Sequence, residues 1–220
     1  MKGTTRKERF KSVVQYFQEH MPEPVTELKY TDPYELIVAV ILSAQCTDKR
    51  VNLITPEFFK RFPTAESLAS STVDQVYELI KSCSYPNNKA KHLIGMARTL
   101  VHEFNNVVPP DVDLLRKLAG VGRKSANVIA SVIHRMPVMP VDTHVFRVSE
   151  RIGLTSNART PLQAEKQLTQ NFEQELITKA HHWLILHGRY ICTARNPKCG
   201  QCGLTNICKY YNKRIKINKF

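Results

Sequence analysis

Two glycines two positions apart, followed by an arginine and a lysine, mark the segment Leu118-Ala119-Gly120-Val121-Gly122-Arg123-Lys124-Ser125-Ala126-Asn127-Val128-Ile129. Glycine admits positive φ and lets another backbone come close, so the pair predicts a tight hairpin between two helices. A helix starting near Arg123 turns its first N–H groups and its positive dipole end outward, where an anion such as a phosphate docks on backbone alone. Lys124 falls in that first turn. The helix end and Arg123 lower its pKa and favour a neutral, nucleophilic amine, while a bound phosphate works in the opposite sense. An ordinary lysine pKa of about 10.4 leaves roughly one amine in a thousand neutral near pH 7.4, so this balance matters. On spacing alone three roles stay open: nucleophile, phosphate anchor, or a loop whose glycines only pack two helices.

Eighteen residues on, Pro140-Val141-Asp142-Thr143-His144-Val145-Phe146-Arg147 predicts an extended stretch running into a helix capped by Asp142 or Thr143. An aspartate kept ionised by helix N–H groups and basic surroundings can stabilise positive charge at a sugar carbon as an N-glycosidic bond breaks. It can also handle a lysine proton. Capping and chemistry are compatible, because a cap needs only one carboxylate oxygen.

Cys192, Cys199, Cys202 and Cys208 follow the spacing C-x6-C-x2-C-x5-C, four thiolates in seventeen residues, as a [4Fe-4S] cluster or a tetrahedral zinc requires. Zinc sites usually pair two C-x2-C turns and this segment has one, which favours iron–sulfur. Gly200 and Gly203 let the chain wrap a compact cofactor. Arg195 and Lys198 lie between the first two ligands and can point at phosphates. Cys46 and Cys83 stand far from this group in sequence and are assigned to the core.

The elements that must hold these residues are helical. Phe10, Val13, Val14 and Phe17 form one apolar stripe, ended by Pro22 and Pro24. Asp32-Pro33-Tyr34-Glu35 has an N-cap carboxylate, a proline at the first helical position and a Glu three residues after the cap, announcing a buried Leu36–Leu42 helix. Thr160-Pro161-Leu162-Gln163 repeats that grammar, and Thr72 with Gln75 opens a short helix through Val76, Leu79 and Ile80. The longest stripe runs Ala90, Leu93, Ile94, Ala97, Leu100, Val101, Phe104 and stops before Pro109-Pro110. Nothing comparable alternates with period two, so the fold class expected is all-α.

With 220 residues the chain has one or two domains. Lys plus Arg number 32 against 19 Asp plus Glu, a formal charge of +13 and a pI near 9.6, which suits a polyanionic partner. Leu36–Leu42 is too short to span a bilayer of about 30 Å, so no membrane segment is expected. The start Met1-Lys2-Gly3-Thr4-Thr5-Arg6-Lys7 lacks the apolar core of a secretory signal. An intracellular, reducing setting follows, in which clustered cysteines serve metal or redox chemistry rather than a disulfide framework. The segment Lys209–Phe220, with five basic and no acidic side chains, either touches a polyanion or frays into solvent.

Taken together, the hairpin, the Pro140–Arg147 segment, the string His181-His182-Trp183-Leu184-Ile185-Leu186-His187-Gly188-Arg189-Tyr190 and the cysteine spacing resemble the endonuclease III family over nearly the whole chain. The resemblance implies a helix-hairpin-helix DNA glycosylase fold of two helical domains with a DNA-binding cleft between them. One is a six-helix domain over 25–136; the other joins 1–24 to 137–220 and carries the four-cysteine loop. It further implies base excision repair by a bifunctional DNA glycosylase and abasic-site lyase that removes oxidised pyrimidines. Lys124 would form an imine at C1′, Asp142 would assist, and Cys192, Cys199, Cys202 and Cys208 would hold a mainly structural [4Fe-4S] cluster.

DNA contacts are implied for Gln45, Gly120, Val121, Gly122, Arg123, His144, Arg195 and Lys198. Gln45, in Ser43-Ala44-Gln45-Cys46-Thr47-Asp48, matches the residue that fills the hole left by an extruded nucleotide. The opposite-strand wedge falls near Tyr85, where Ser84-Tyr85-Pro86-Asn87 departs from the family's usual text. Ala119 replaces a common proline, and Arg116 stands where the family's model bacterial member has an acid. The partner implied is double-stranded DNA bearing a damaged base or abasic site, bound by a monomer in a bacterial cytoplasm or nucleoid.

Three competitors share some of these features. Adenine-mismatch glycosylases resemble this chain without the hairpin lysine and with a further C-terminal recognition domain. A non-catalytic helix-hairpin-helix DNA-binding protein would not need Asp142 after Lys124, and an iron–sulfur electron carrier would not need the hairpin.

Overall fold

A computed structural model of the chain describes residues 4–217, with side chains through residue 213. Met1 to Gly3, part of the N-terminal stretch considered above, and residues 218–220 of the basic terminal segment lie outside the described residues.

The helices are α1 Arg6–His20, α2 Pro33–Ser43, α3 Asp48–Arg61, α4 Ala65–Ala69, α5 Val73–Ile80, α6 Pro86–Phe104, α7 Val112–Leu115, α8 Arg123–His134, α9 Thr143–Ile152, α10 Pro161–Thr169, α11 Ile177–Tyr190 and α12 Lys209–Ile217. Two 3-10 turns, Gln174–Leu176 and Cys199–Gln201, complete the set. Among the described residues there is no strand, so the all-α expectation holds. No helix among them is long and apolar enough to cross a membrane.

The chain divides into two compact units, Thr26–Met136 and a discontinuous one made of Met1–Val25 with Pro137–Phe220. Within Thr26–Met136 lie α2 to α8, α7 being a single turn. Helix α2 starts because Asp32 Oδ1 accepts from Glu35 N at 2.8 Å and Pro33 sits at the first position, where a missing N–H costs nothing. Each residue from Leu36 to Leu42 is buried, which requires neighbours all round; α3, α6 and α8 supply them.

Helix α6 buries the predicted Ala90, Leu93, Ile94, Ala97 and Leu100, but also Lys89 and Met96, while Val101 and Phe104 are only half-buried. The seam is displaced because α4 and α5 both pack against α6. Thr72 and Gln75 close a reciprocal capping box on α5.

In the discontinuous unit, α1 buries Phe10, Val13 and Phe17, each worth about 1.5–3 kcal/mol when fully removed from water. The Phe17 and Trp183 rings stack with centroids 5.6 Å apart, and Trp183 Nε1 donates to Met21 O at 2.7 Å. Arg6 Nε donates to Leu154 O at 2.7 Å, and Arg9 Nε to Ile207 O at 3.0 Å. The first helix is thereby fastened to residues from the last third of the chain. Residues 209–217 do not fray: they form α12, which packs on α9, with the Arg151 guanidinium 4.6 Å from the Tyr210 ring centroid.

Candidate active site

Leu118 and Val121 anchor the hairpin between α7 and α8 by burial, and Val121 N donates to Leu118 O at 3.0 Å. Val121, expected among the DNA contacts, has its side chain in the core and its N–H bonded to Leu118 O. Gly120 has φ +79°, and a Cβ there would stand 2.9 Å from His92 Cβ, so both backbone and packing demand glycine. Gly122 does not use positive φ. Its φ of −83° is ordinary for a helix cap, and a Cβ built on it meets nothing within 4 Å. The space above Gly122 is open. No side chain caps α8 there, so the positive end of the α8 dipole faces the hairpin. Arg123 and Lys124 are both exposed in the first turn, while Ala126, Val128, Ile129 and Ala130 are buried and fix the helix.

The cap of α9 is Asp142 rather than Thr143. Asp142 Oδ1 accepts from His144 N at 2.9 Å and Val145 N at 2.8 Å. Asp142 Oδ2 lies 3.1 Å from His144 Nδ1, and an ionised carboxylate can only accept, so that ring nitrogen donates. His144, expected to touch DNA, also holds the second carboxylate oxygen, with 32% of its side chain exposed against 19% for Asp142.

Helix α11 sets this segment in place. His181 Nδ1 donates to Pro140 O at 3.0 Å. A Cβ on Gly188 would come within 2.9 Å of His144 Cβ, so glycine permits the close approach of α9 and α11. Arg147 Nη2 donates to Gly188 O at 2.9 Å and its Nε to Cys192 O at 3.2 Å; burial and the neighbouring Arg151 lower its pKa. Sequence reasoning used this α11 string only as a family marker. A lone glycine inside an otherwise apolar helical pattern was the signal for its role.

Gln45, between α2 and α3, is exposed at φ +54°, and Tyr85, at the cap of α6, is 60% exposed at φ +55°. Two non-glycine residues in the left-handed region cost on the order of 1 kcal/mol each or more. Ser84 Oγ donates to Gln45 O at 2.7 Å and ties the two loops together. Buried Lys89 donates to Leu42 O at 2.7 Å and Ser84 Oγ at 3.3 Å. Of Cys46 and Cys83, both assigned to the core, Cys83 is buried and Cys46 half-buried, and they flank these two tips with their Sγ atoms 3.8 Å apart.

Cys192, Cys199, Cys202 and Cys208 line one cavity with Ile152, Leu204 and Tyr210, and none is in a disulfide. Burial first, and the other cysteines of the group besides, raise the thiol pKa of Cys202 and of Cys208. Four thiols round one cavity are a soft, anionic donor set once ionised, and they call for a strongly cationic occupant. Four cysteine ligands round one cavity are the donor set that a multi-iron cluster takes.

Arg151 serves the same loop, donating to Thr193 O and Ala194 O at 2.7 Å each, with Nη1 3.5 Å from Cys192 Sγ. Gly203 is a glycine for a reason other than wrapping: its Cβ would stand 2.4 Å from Tyr16 Cε2. Gly200 meets no such neighbour. Arg195 and Lys198 are exposed on the loop.

Comparison with known proteins places this arrangement. Residues 38–174 match the family model described as HhH-GPD superfamily base excision DNA repair protein, and residues 192–208, the first cysteine to the last, match the iron–sulfur binding domain of endonuclease III. Endonuclease III of Rickettsia felis is 45% identical over 92% of this chain and 95% of its own length, and that of Escherichia coli 40% over 89% and 92%. A solved structure of a trapped endonuclease III–DNA covalent intermediate aligns with TM-score 0.91 and 36% identity over 96% of this chain and all of that one. A thermostable thymine-DNA glycosylase shares the fold at TM-score 0.82 and 23% identity.

The chain belongs to the HhH-GPD superfamily of base excision DNA repair proteins, and within it to the endonuclease III family of DNA glycosylase/lyases. Its cofactor is a [4Fe-4S] cluster in the 192–208 segment.

Proposed function

We propose that this chain removes oxidised pyrimidines from double-stranded DNA and cuts the strand at the resulting abasic site, acting as a monomer in a bacterial cytoplasm or nucleoid. One observation carries the reading: an endonuclease III of the same fold over 96% of this chain has been captured as a covalent DNA intermediate, and the exposed hairpin of this chain presents an amine suited to that step.

In this reading the damaged nucleotide is turned out of the duplex, Gln45 fills the vacated space and Tyr85 wedges the opposite strand. Gly120, Gly122 and the start of α8 hold backbone phosphates, with Arg123, Arg195 and Lys198 adding charge. Val121 contributes by seating the hairpin. Neutral Lys124 Nζ attacks C1′ as the C1′–N bond breaks, and the base leaves with the electron pair and takes a proton from water. Asp142 stabilises positive charge at C1′ and takes the lysine proton, with His144 holding its second oxygen. Sugar-ring opening gives the Lys124 imine; loss of a C2′ proton then expels the 3′ phosphate and cuts the strand. Cys192, Cys199, Cys202 and Cys208 ligate the cluster, which when bound orders the basic loop between the first two ligands.

Borohydride reduction during incubation with abasic or thymine-glycol duplex tests the reading. A covalent protein–DNA adduct is expected from the wild type and none from Lys124→Ala. No adduct from the wild type defeats the lyase assignment; full yield from Lys124→Ala moves the nucleophile elsewhere.

A further inference from the structure

Cys46 and Cys83, 37 positions apart in sequence, bring their sulfurs to 3.8 Å, and the chemistry proposed above uses neither. Cys46 directly follows Gln45, and Cys83 stands two residues before Tyr85. Both lie in connections between helices, α2 to α3 and α5 to α6, where backbone yields more readily than inside a helix. A disulfide needs an S–S distance of about 2.05 Å, so the gap must close by less than about 2 Å.

The surroundings act on the pair in two senses, two cations favouring thiolate and burial opposing it. The Lys89 ammonium is held nearby by Leu42 O and Ser84 Oγ, and Arg50 adds a second positive charge. Burial, then the neighbouring Cys46, raises the Cys83 pKa to about 11. Half-buried Cys46 is the thiol that an oxidant reaches, and Cys83 is placed to resolve the product.

We propose that Cys46 and Cys83 form a reversible disulfide when a low-molecular-weight disulfide is present, fastening the Gln45 loop to the Tyr85 loop and weakening the hold on duplex DNA. The Cys46 thiolate attacks one sulfur of the oxidant, whose S–S bond breaks and releases one thiolate. Cys83 loses its proton and attacks the Cys46 sulfur, expelling the second. Two electrons pass from the protein thiols to the oxidant, and their two protons end on the released thiols. In a reducing compartment such a bond is transient and acts as a sensor rather than a staple. The consequence for DNA rests on the reading of Gln45 and Tyr85 given above, whereas the bond itself does not.

The test uses the full, cluster-loaded protein and glutathione disulfide, with absorbance near 400 nm, a rough figure for thiolate-ligated iron, showing that the cluster survives. Non-reducing peptide mapping should find Cys46 joined to Cys83. Affinity for abasic duplex should fall about fivefold, roughly 1 kcal/mol, and recover with dithiothreitol. Cys46→Ser and Cys83→Ser should keep the affinity of the reduced wild type and ignore the oxidant. A stable mixed disulfide at Cys46, or bonds confined to Cys192–Cys208, overturns the proposal. A Cys46–Cys83 bond with unchanged affinity overturns its coupling to DNA. Gln45→Ala separates that outcome from a mistaken reading of the loop, which would leave reduced-state affinity untouched.

Discussion

Asp142 divides its oxygens, one capping α9 through the His144 and Val145 amides and the other facing the His144 ring. Asparagine caps helices about as well as aspartate, so Asp142→Asn should keep the folded stability within roughly 0.5 kcal/mol while lowering base excision about 10²-fold or more. Calorimetry and single-turnover excision read the two effects separately. Equal losses in both would reduce Asp142 to a cap. At this scale much was legible: the hairpin lysine, the capping aspartate and the four clustered cysteines are local patterns. The bonding of the Val121 N–H and of the His144 ring was not, because whether an N–H or a ring nitrogen already has a partner depends on neighbours that spacing does not reveal. The approach of Cys46 to Cys83 was hidden for the same reason, since it is created by α2 and α6 packing together.

Helices α8, α9 and α11 are positioned by glycines of three different kinds. Gly120 combines φ +79° with a crowded His92, so Gly120→Ala should cost about 1–2 kcal/mol of stability. Gly122 has open space where a side chain would go. Gly122→Ala, at an N-cap where glycine is better than alanine, should cost no more than about 1 kcal/mol of stability yet bind abasic duplex several-fold more weakly, about 1 kcal/mol; unchanged binding would mean that no phosphate comes close there. Gly188→Ala pushes against His144 Cβ at 2.9 Å and should cost about 1–3 kcal/mol, with a further loss of excision as the α9 cap is displaced. Crystallography of that variant would show the shift. The elements themselves were readable from caps and stripes, as at Asp32 and Thr72. The seam of α6 was not, because α4 and α5 enlarge it to include Lys89 and Met96.

At the scale of the whole molecule, the formal charge of +13 gives duplex binding a strong ionic part. Six or more phosphate contacts should cut affinity by orders of magnitude between about 50 and 200 mM salt, and a flat salt titration would undo that account. Removing the iron by chelation should abolish absorbance near roughly 400 nm and loosen the 192–208 loop, so that DNA affinity falls further than helical content measured by circular dichroism. The net charge and the all-helical class were open to inspection from composition and periodicity, while the reach of α1 to Leu154, Trp183 and Ile207 was not.

That reach carries a cost in time. The unit holding α1 is completed only by Pro137 onward, so during synthesis its apolar face of Phe10, Val13 and Phe17 emerges first and finds its partners last. At roughly 5–20 residues per second, the intervening stretch of about 110 residues imposes a wait on the order of 10 s. In that interval Thr26–Met136 can fold while α1 waits for its partners. Ile207, which accepts from Arg9 of the first helix, and Cys208, the last of the four cysteines, leave the tunnel together, so the partners of that helix and the cluster's ligands are complete at the same moment.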